Sequence, residues 1–203
     1  MLVALFATAY FPTVEYVRCL LQFPQIAIEA CEHFPKQTNR NRCHILGPNG
    51  VQTLSIPLAQ AHAKSISGDM LVSNSDDWKT RHWRSIETAY NRSAFFEFYK
   101  DELSQVFFNN EPSLLLFNQN LLNFVLSKLK QQVTFTFTTA FETNAAHDHR
   151  HLSNQKNNIN THPDFVSKRY PQVFGYKYDF SPNLSVLDLL MNCGKDGLGY
   201  LRA

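Results

Sequence analysis

The sequence predicts a mixed α/β fold: a single domain over residues 1–203, with a mixed, mostly parallel sheet flanked by helices and one β-hairpin. Three observations carry that expectation. An apolar run at 2–9, a short helical segment and a second β-prone run follow one another within about 30 residues, the size of a βαβ unit. An Asn49-Gly50 step lies between two further β-prone runs, a hairpin signal because both residue types tolerate positive φ. Residues 133–138, Val-Thr-Phe-Thr-Phe-Thr, alternate strictly, as a half-buried strand does.

Each element follows in order. The run 2–9 has the length and continuity of a strand covered on both faces. Tyr10-Phe11-Pro12 breaks it, Thr13 can cap a helix over 14–21, and Pro24 stops that helix. Residues 25–30 (QIAIEA) make the second strand, and Glu32 to Arg42 is a polar stretch without apolar periodicity. The runs 43–46 and 51–56 pair across Gly47-Pro48-Asn49-Gly50, and 59–75 reads as a loop with a short element. A helix over 79–92 is expected with Asp76 or Asp77 as its N-cap, with Trp83, Ile86 and Tyr90 inward and Arg81, Arg84, Thr88 and Asn91 outward. A second helix covers 95–107. A third starts at Pro112 and buries Leu115, Leu122, Val125 and Leu129. The strand at 133–138 turns Val133, Phe135 and Phe137 inward. Residues 144–163, polar and rich in Asn and His, form a long loop. Pro182-Asn183 cap a last helix over 184–192, ended by Gly194.

With 44% hydrophobic and 13% aromatic residues in 203, the chain can build a core without staples. Cys19, Cys31, Cys43 and Cys193 show no paired spacing, so they read as free thiols, two or more of them buried, rather than as zinc ligands. A net charge of +2 argues against a nucleic-acid partner, since phosphate binding requires clustered cations. No segment has the roughly 18 uninterrupted apolar residues of a membrane span, and the apolar start lacks a basic flank, so a cytoplasmic protein is expected. Gly-rich phosphate loops and a G-x-S-x-G elbow are absent.

Three segments offer chemistry. Lys36, Asn39, Arg40, Asn41 and Arg42 combine guanidinium forks and amides that suit phosphate or carboxylate oxygens; a solvated loop paired with surface acids is the competing reading. Residues 78–92 interleave aromatic and basic side chains, but helical spacing assigns the aromatics to the core, leaving His82 as a candidate acid or base. In His147-Asp148-His149-Arg150-His151 the histidines would share one face of a strand. Arg150 sets a permanent charge beside any ion there, so no metal site is read, and Asp148 with Arg150 becomes a polar pair for a ligand.

Several blocks run in order over nearly the whole chain: Tyr10-Phe11-Pro12-x-x-Glu15-Tyr16, His33-Phe34-x-Lys36-Gln37-x-x-Arg40-Asn41-Arg42, Trp78-x-x-x-His82-Trp83-Arg84 with Tyr90, Tyr170-Pro171-Gln172-Val173-Phe174, and Asn183 to Leu190. In them the chain resembles the WbqC-like family, associated with bacterial surface-polysaccharide (O-antigen type) gene clusters. The resemblance implies a transferase or related enzyme acting on a nucleotide sugar or another phosphorylated small molecule. The alternative it leaves open is a non-catalytic partner of a pathway enzyme, docking through aromatics around Phe95, Phe96, Phe98 and Tyr99, or a homo-oligomer. The family's Asp-x-Arg pair falls on Asp148 and Arg150, its following basic position on Lys156, and Tyr170 and Gln172 join the ligand set. Asp148 would orient a substrate hydroxyl or amine. Thr8-Ala9 stands where many relatives carry His-Gln, so a role for that histidine is absent or supplied elsewhere.

Overall fold

The N-terminal apolar run forms β1 (Val3–Ala7), buried from Ala4 onward. The computed structural model describes residues 3–59, 65–154 and 165–202. After β1 come α1 (Val14–Leu20) and β2 (Gln25–Glu29), and the two strands pair in parallel from Val3↔Gln25 to Ala7↔Glu29. The expected βαβ unit is present. Thr13 Oγ1 accepts the Tyr16 N–H at 3.2 Å and caps the helix. The Tyr16 hydroxyl donates to the Ala7 carbonyl at 2.9 Å, which ties α1 to the end of β1.

The hairpin is β3 (Arg42–Gly47) with β4 (Gly50–Ser55). Its register pairs Gly47 with Gly50, so Pro48 and Asn49 occupy the loop centre. Proline's fixed φ suits the first central position, and Gly50 takes the positive φ of 99° at the strand start. A two-residue ladder joins β5 (Leu58–Ala59) to β6 (Leu71–Val72).

Three helices follow: α2 (Trp78–Tyr90), α3 (Phe96–Phe107) and α4 (Leu114–Lys128). On α2 the buried positions are Trp78, His82, Ile86, Ala89 and Tyr90; Ile86 and Tyr90 turn inward as expected, but the face is rotated away from Trp83 toward Trp78 and His82. Trp83 is only half-buried and packs at the rim against Phe96, Phe107 and Phe108. The cap of α4 is Ser113, whose Oγ accepts the Leu116 N–H at 3.4 Å, rather than Pro112. That helix is buried nearly all round, which places it at the centre of the core.

The alternating segment forms β7 (Thr134–Phe137), parallel to β2. It lies at the sheet edge, so its inner face is incompletely covered: Phe135 is half-buried and Phe137 is 39% exposed, against the expectation that both turn inward. On the far side of β1 the chain adds a strand-like segment that the sequence pattern does not announce. The Leu5 N–H donates to the His147 carbonyl and the His149 N–H to the Leu5 carbonyl, both at 2.8 Å, in parallel sense. The spatial order is therefore 147–149, β1, β2, β7, and the chain reverses its direction across the sheet at β1. In open parallel sheets the crevice outside the carboxyl ends at such a reversal is the ordinary place for a ligand.

The C-terminal part adds α5 (Gly175–Tyr178), α6 (Val186–Cys193) and α7 (Leu198–Leu201). The cap of α6 is Ser185, whose Oγ accepts the Leu187 N–H at 3.2 Å, rather than Pro182-Asn183; Asn183 instead bonds Glu15. Gly194 ends α6 at φ +57°, and a Cβ there would stand 2.6 Å from the Phe95 ring. All four cysteines are free, Cys43 and Cys193 buried. Among the described residues no helix is long and apolar enough to cross a membrane.

Candidate functional site

β2 ends on Glu29, a fully buried carboxylate. Burial of such a charge is tolerable only with its lone pairs engaged. Oε1 accepts the Cys31 N–H at 2.9 Å and the Thr138 hydroxyl at 2.6 Å. Oε2 accepts the Glu142 N–H at 3.0 Å and Arg150 Nη1 at 3.2 Å. Arg150 in turn clasps Asp148, Nε to Oδ1 at 3.0 Å and Nη2 to Oδ2 at 2.5 Å. Its guanidinium lies 4.9 Å from the centroid of the Phe141 ring. One arginine thus couples a buried carboxylate at the end of β2 to an exposed one beside β1.

A second pair stands next to the first. Arg40, 1% exposed, donates Nε to Glu32 Oε1 at 2.6 Å and Nη2 to Oε2 at 2.8 Å. Its Nη1 reaches Asn154 Oδ1 at 2.7 Å and the Ser153 carbonyl at 3.3 Å. Every nitrogen of the fork is engaged, so Arg40 shapes the wall more than it offers donors.

Around these pairs the surface sinks into two adjoining depressions. One of about 700 Å³ is lined by Cys31, Glu32, His33, Lys36, Arg40 and Phe141, among others. The other, about 430 Å³, adds Asp148, Arg150 and His151; Glu32, Arg40, Phe141 and Asn154 line both. Hydrogen bonds from Arg150 hold the Asp148 carboxyl below the usual carboxylate range, so it is ionised at neutral pH. It can accept from a hydroxyl or an ammonium, and it is a poor proton donor. Lys36 is exposed at the opposite end.

The structure thus brings Lys36, Arg40, Asp148 and Arg150 to one cleft. It sets the other sequence-level candidates elsewhere. Asn39 is buried and bridges through its backbone, N–H to Ser153 and carbonyl from Tyr10, both at 2.9 Å. Asn41 Nδ2 donates to the Ile56 carbonyl at 2.9 Å and braces the hairpin. Arg42 is the first residue of β3, paired with Ser55, and is not among the cleft's lining residues. Tyr170 and Gln172 both donate to Asp188 Oδ2 at 2.9 Å in a separate buried cluster. Burial pushes Asp188 up to about 6. His82 sits in the core, 3.0 Å from the Tyr10 hydroxyl and edge-on to Trp78, and burial pulls its pKa down to about 4. It is neutral and walled in, because it falls one helical turn after Trp78 on the buried face of α2. Lys156 lies outside the described residues.

Glu29, Glu32, Phe141 and Asn154 escaped the sequence reading. The available signal was an acid closing an apolar strand: Glu29 follows Gln-Ile-Ala-Ile, where both faces should be covered. Thr8, of the Thr8-Ala9 pair, is buried and accepts from Asn118 Nδ2 at 3.0 Å. Among the described residues no group of three metal-ligating side chains is close enough to hold an ion.

Fold and cleft define a small parallel-sheet α/β protein with a charge-lined crevice at the carboxyl edge of its sheet. The chain belongs to the WbqC-like protein family, whose sequence profile matches residues 8–162 and 148–200. It is 25% identical over 230 residues to the uncharacterized protein Rv1507c of Mycobacterium tuberculosis, an alignment covering 98% of this chain and 97% of that one. No solved structure matches it.

Proposed function

We propose that this protein is a transferase or related enzyme acting on an activated or nucleotide-linked sugar in bacterial surface-polysaccharide biosynthesis, with the cleft as its substrate site. The observation that carries this reading is the convergence of Lys36, Arg40, Asp148 and Arg150, from separate segments, outside the carboxyl ends of the sheet where strand order reverses. Lys36 would take a phosphate oxygen, and Asp148 would accept from and orient a hydroxyl or amine of the acceptor. Arg40 and Arg150 hold the carboxylates in place as positioning residues. Phe141, 53% exposed, offers a ring face between the two ends for a sugar or base. Membership of the WbqC-like family is consistent with that setting and leaves the reaction to be found.

A second reading has its own observation. Phe98 on α3 is 76% exposed and packs with the half-buried Phe95, itself stacked on Tyr99, while Phe96 is buried, so a limited apolar surface supports docking on a pathway enzyme. A thermal-shift panel of nucleotide sugars, acyl carriers and amino acids separates the readings. A stabilising ligand whose effect is lost in Lys36→Ala or Asp148→Ala supports the substrate site. No shift across the panel removes it in favour of docking.

A further inference from the structure

Side chains alternate along an extended segment, so on 147–149 Asp148 faces the cleft while His149 faces α1. There the Cys19 Sγ lies 3.3 Å from His149 Nδ1. The imidazole is fixed by Phe6, stacked at 5.0 Å, and by Phe23 at 5.4 Å. Both side chains line a depression of about 360 Å³ with Glu15, Arg18, Gln22, His151, Leu152 and Phe165. Cys19 is half-buried and reachable from it. Arg18 adds a cation to the lining, held 5.6 Å from the Phe165 ring.

The protonation states leave little free thiolate, so attack by this sulfur requires the neighbouring base. Burial, then Glu15, pushes the thiol up to about 11, and burial with His151 and His147 lowers His149. The groups facing the pair are Glu15 and Arg18 from α1 and His147 and His151 from its own segment; Asp148 points to the other face and acts on His149 only through its charge. At neutral pH the pair is thiol with neutral imidazole, in which Nδ1 can take the proton as sulfur attacks.

We infer that Cys19 and His149 form a second reactive site, in which the Cys19 thiol accepts an acyl group from an activated acyl donor. The inference does not depend on the substrate reading of the cleft. Sγ bonds to the carbonyl carbon of a thioester or activated ester while its proton passes to His149 Nδ1. The donor's carbon–sulfur or carbon–oxygen bond then breaks, and the leaving thiolate or alkoxide takes that proton back. The product is an S-acyl Cys19 and a neutral imidazole, with no oxidant or reductant required. The cation of Arg18 suits an anionic tail on the donor.

The test incubates the full chain with S-acetyl-N-acetylcysteamine or, separately, p-nitrophenyl acetate, and maps acetyl groups by peptide mass spectrometry across pH. Acetylation of Cys19 is expected at a rate that levels off above the His149 titration, and His149→Gln should lower it about tenfold or more. Labelling of Cys31, which donates to the Thr138 carbonyl at 3.6 Å, serves as the control that the variant leaves unchanged. Faster reaction with the thioester assigns a carrier-type donor, and reaction with the ester alone an activated ester. If His149→Gln melts early, the pH profile of the unmodified protein decides. A Cys19 rate rising about tenfold per pH unit throughout, as free thiolate attack from a high pKa requires, would overturn the inference. So would acetylation confined to other cysteines.

Discussion

Asp188 gives the sharpest energetic prediction. It is fully buried, accepts from Tyr170 and Gln172 at 2.9 Å, and still titrates near 6 because burial outweighs those bonds. Between its unfolded value of 3.8 and about 6 the folded chain holds a proton that the unfolded chain has released. The stabilisation from that proton is complete below 3.8, declines as pH rises through about 6, and is gone above. At about 1.4 kcal/mol per pH unit, the ionised carboxylate costs the fold roughly 3 kcal/mol at pH 8. Asp188→Asn removes the charge and keeps an oxygen for both donors. Urea unfolding followed by circular dichroism should show the variant about 1–3 kcal/mol more stable than the parent at pH 8, and no more stable at pH 4. Asp188→Ala leaves the buried Tyr170 hydroxyl without its acceptor and Gln172 with only the Ser181 carbonyl, and should lose about 2–4 kcal/mol at either pH. An Asn variant clearly weaker than the parent at pH 8 would refute the reasoning, because the ionised carboxylate would then be the better partner.

Other consequences follow from the same geometry. Glu32→Gln leaves the Arg40 guanidinium buried without its counter-charge and should cost about 3–5 kcal/mol in denaturant unfolding, whereas a loss under about 1 kcal/mol would mean that water reaches the pair. Arg150→Gln removes the donors that hold Asp148 low, so the Asp148 carboxyl followed by NMR titration should rise toward the ordinary aspartate value; an unchanged titration would contradict the assigned cause. Gly194→Ala forces a Cβ against the Phe95 ring at a positive φ and should lower the melting temperature, with a loss of about 1–3 kcal/mol.

Elements with a strong period were legible in the sequence. The β1–α1–β2 unit, the hairpin, helices α2 to α4 and strand β7 each carried a run or alternation that a few residues' error could not erase. The segment 147–149 was not legible as part of the sheet, since it lies in a polar stretch that reads as a long loop and is held by only two backbone bonds to Leu5. That omission hid the strand-order reversal and, with it, the location of the crevice. In the site, Lys36, Arg40, Asp148 and Arg150 stood out by residue type, but their carboxylate partners did not. Glu29 and Glu32 sit 121 and 8 residues from the arginines they bind, a pairing that only the folded chain discloses. Tyr170 and Gln172 illustrate the limit of motif reasoning: their block matches the family, yet their polar atoms are engaged by Asp188. His82 lies on the face that Trp78, Ile86 and Ala89 also occupy, whereas the periodic reading turned Trp83 inward and so left His82 as a candidate acid or base.

The central claim is that the cleft joining Lys36 to Asp148 binds the substrate. Isothermal titration of the nucleotide sugar giving the largest thermal shift, on the parent and on Lys36→Ala, Asp148→Asn and Arg42→Ala, tests it most directly. The account predicts at least about tenfold weaker binding for the first two, the loss of one charge-assisted hydrogen bond, and unchanged binding for Arg42→Ala, whose side chain lies outside the lining. Binding indifferent to Lys36 and Asp148, or abolished by Arg42→Ala alone, would contradict it.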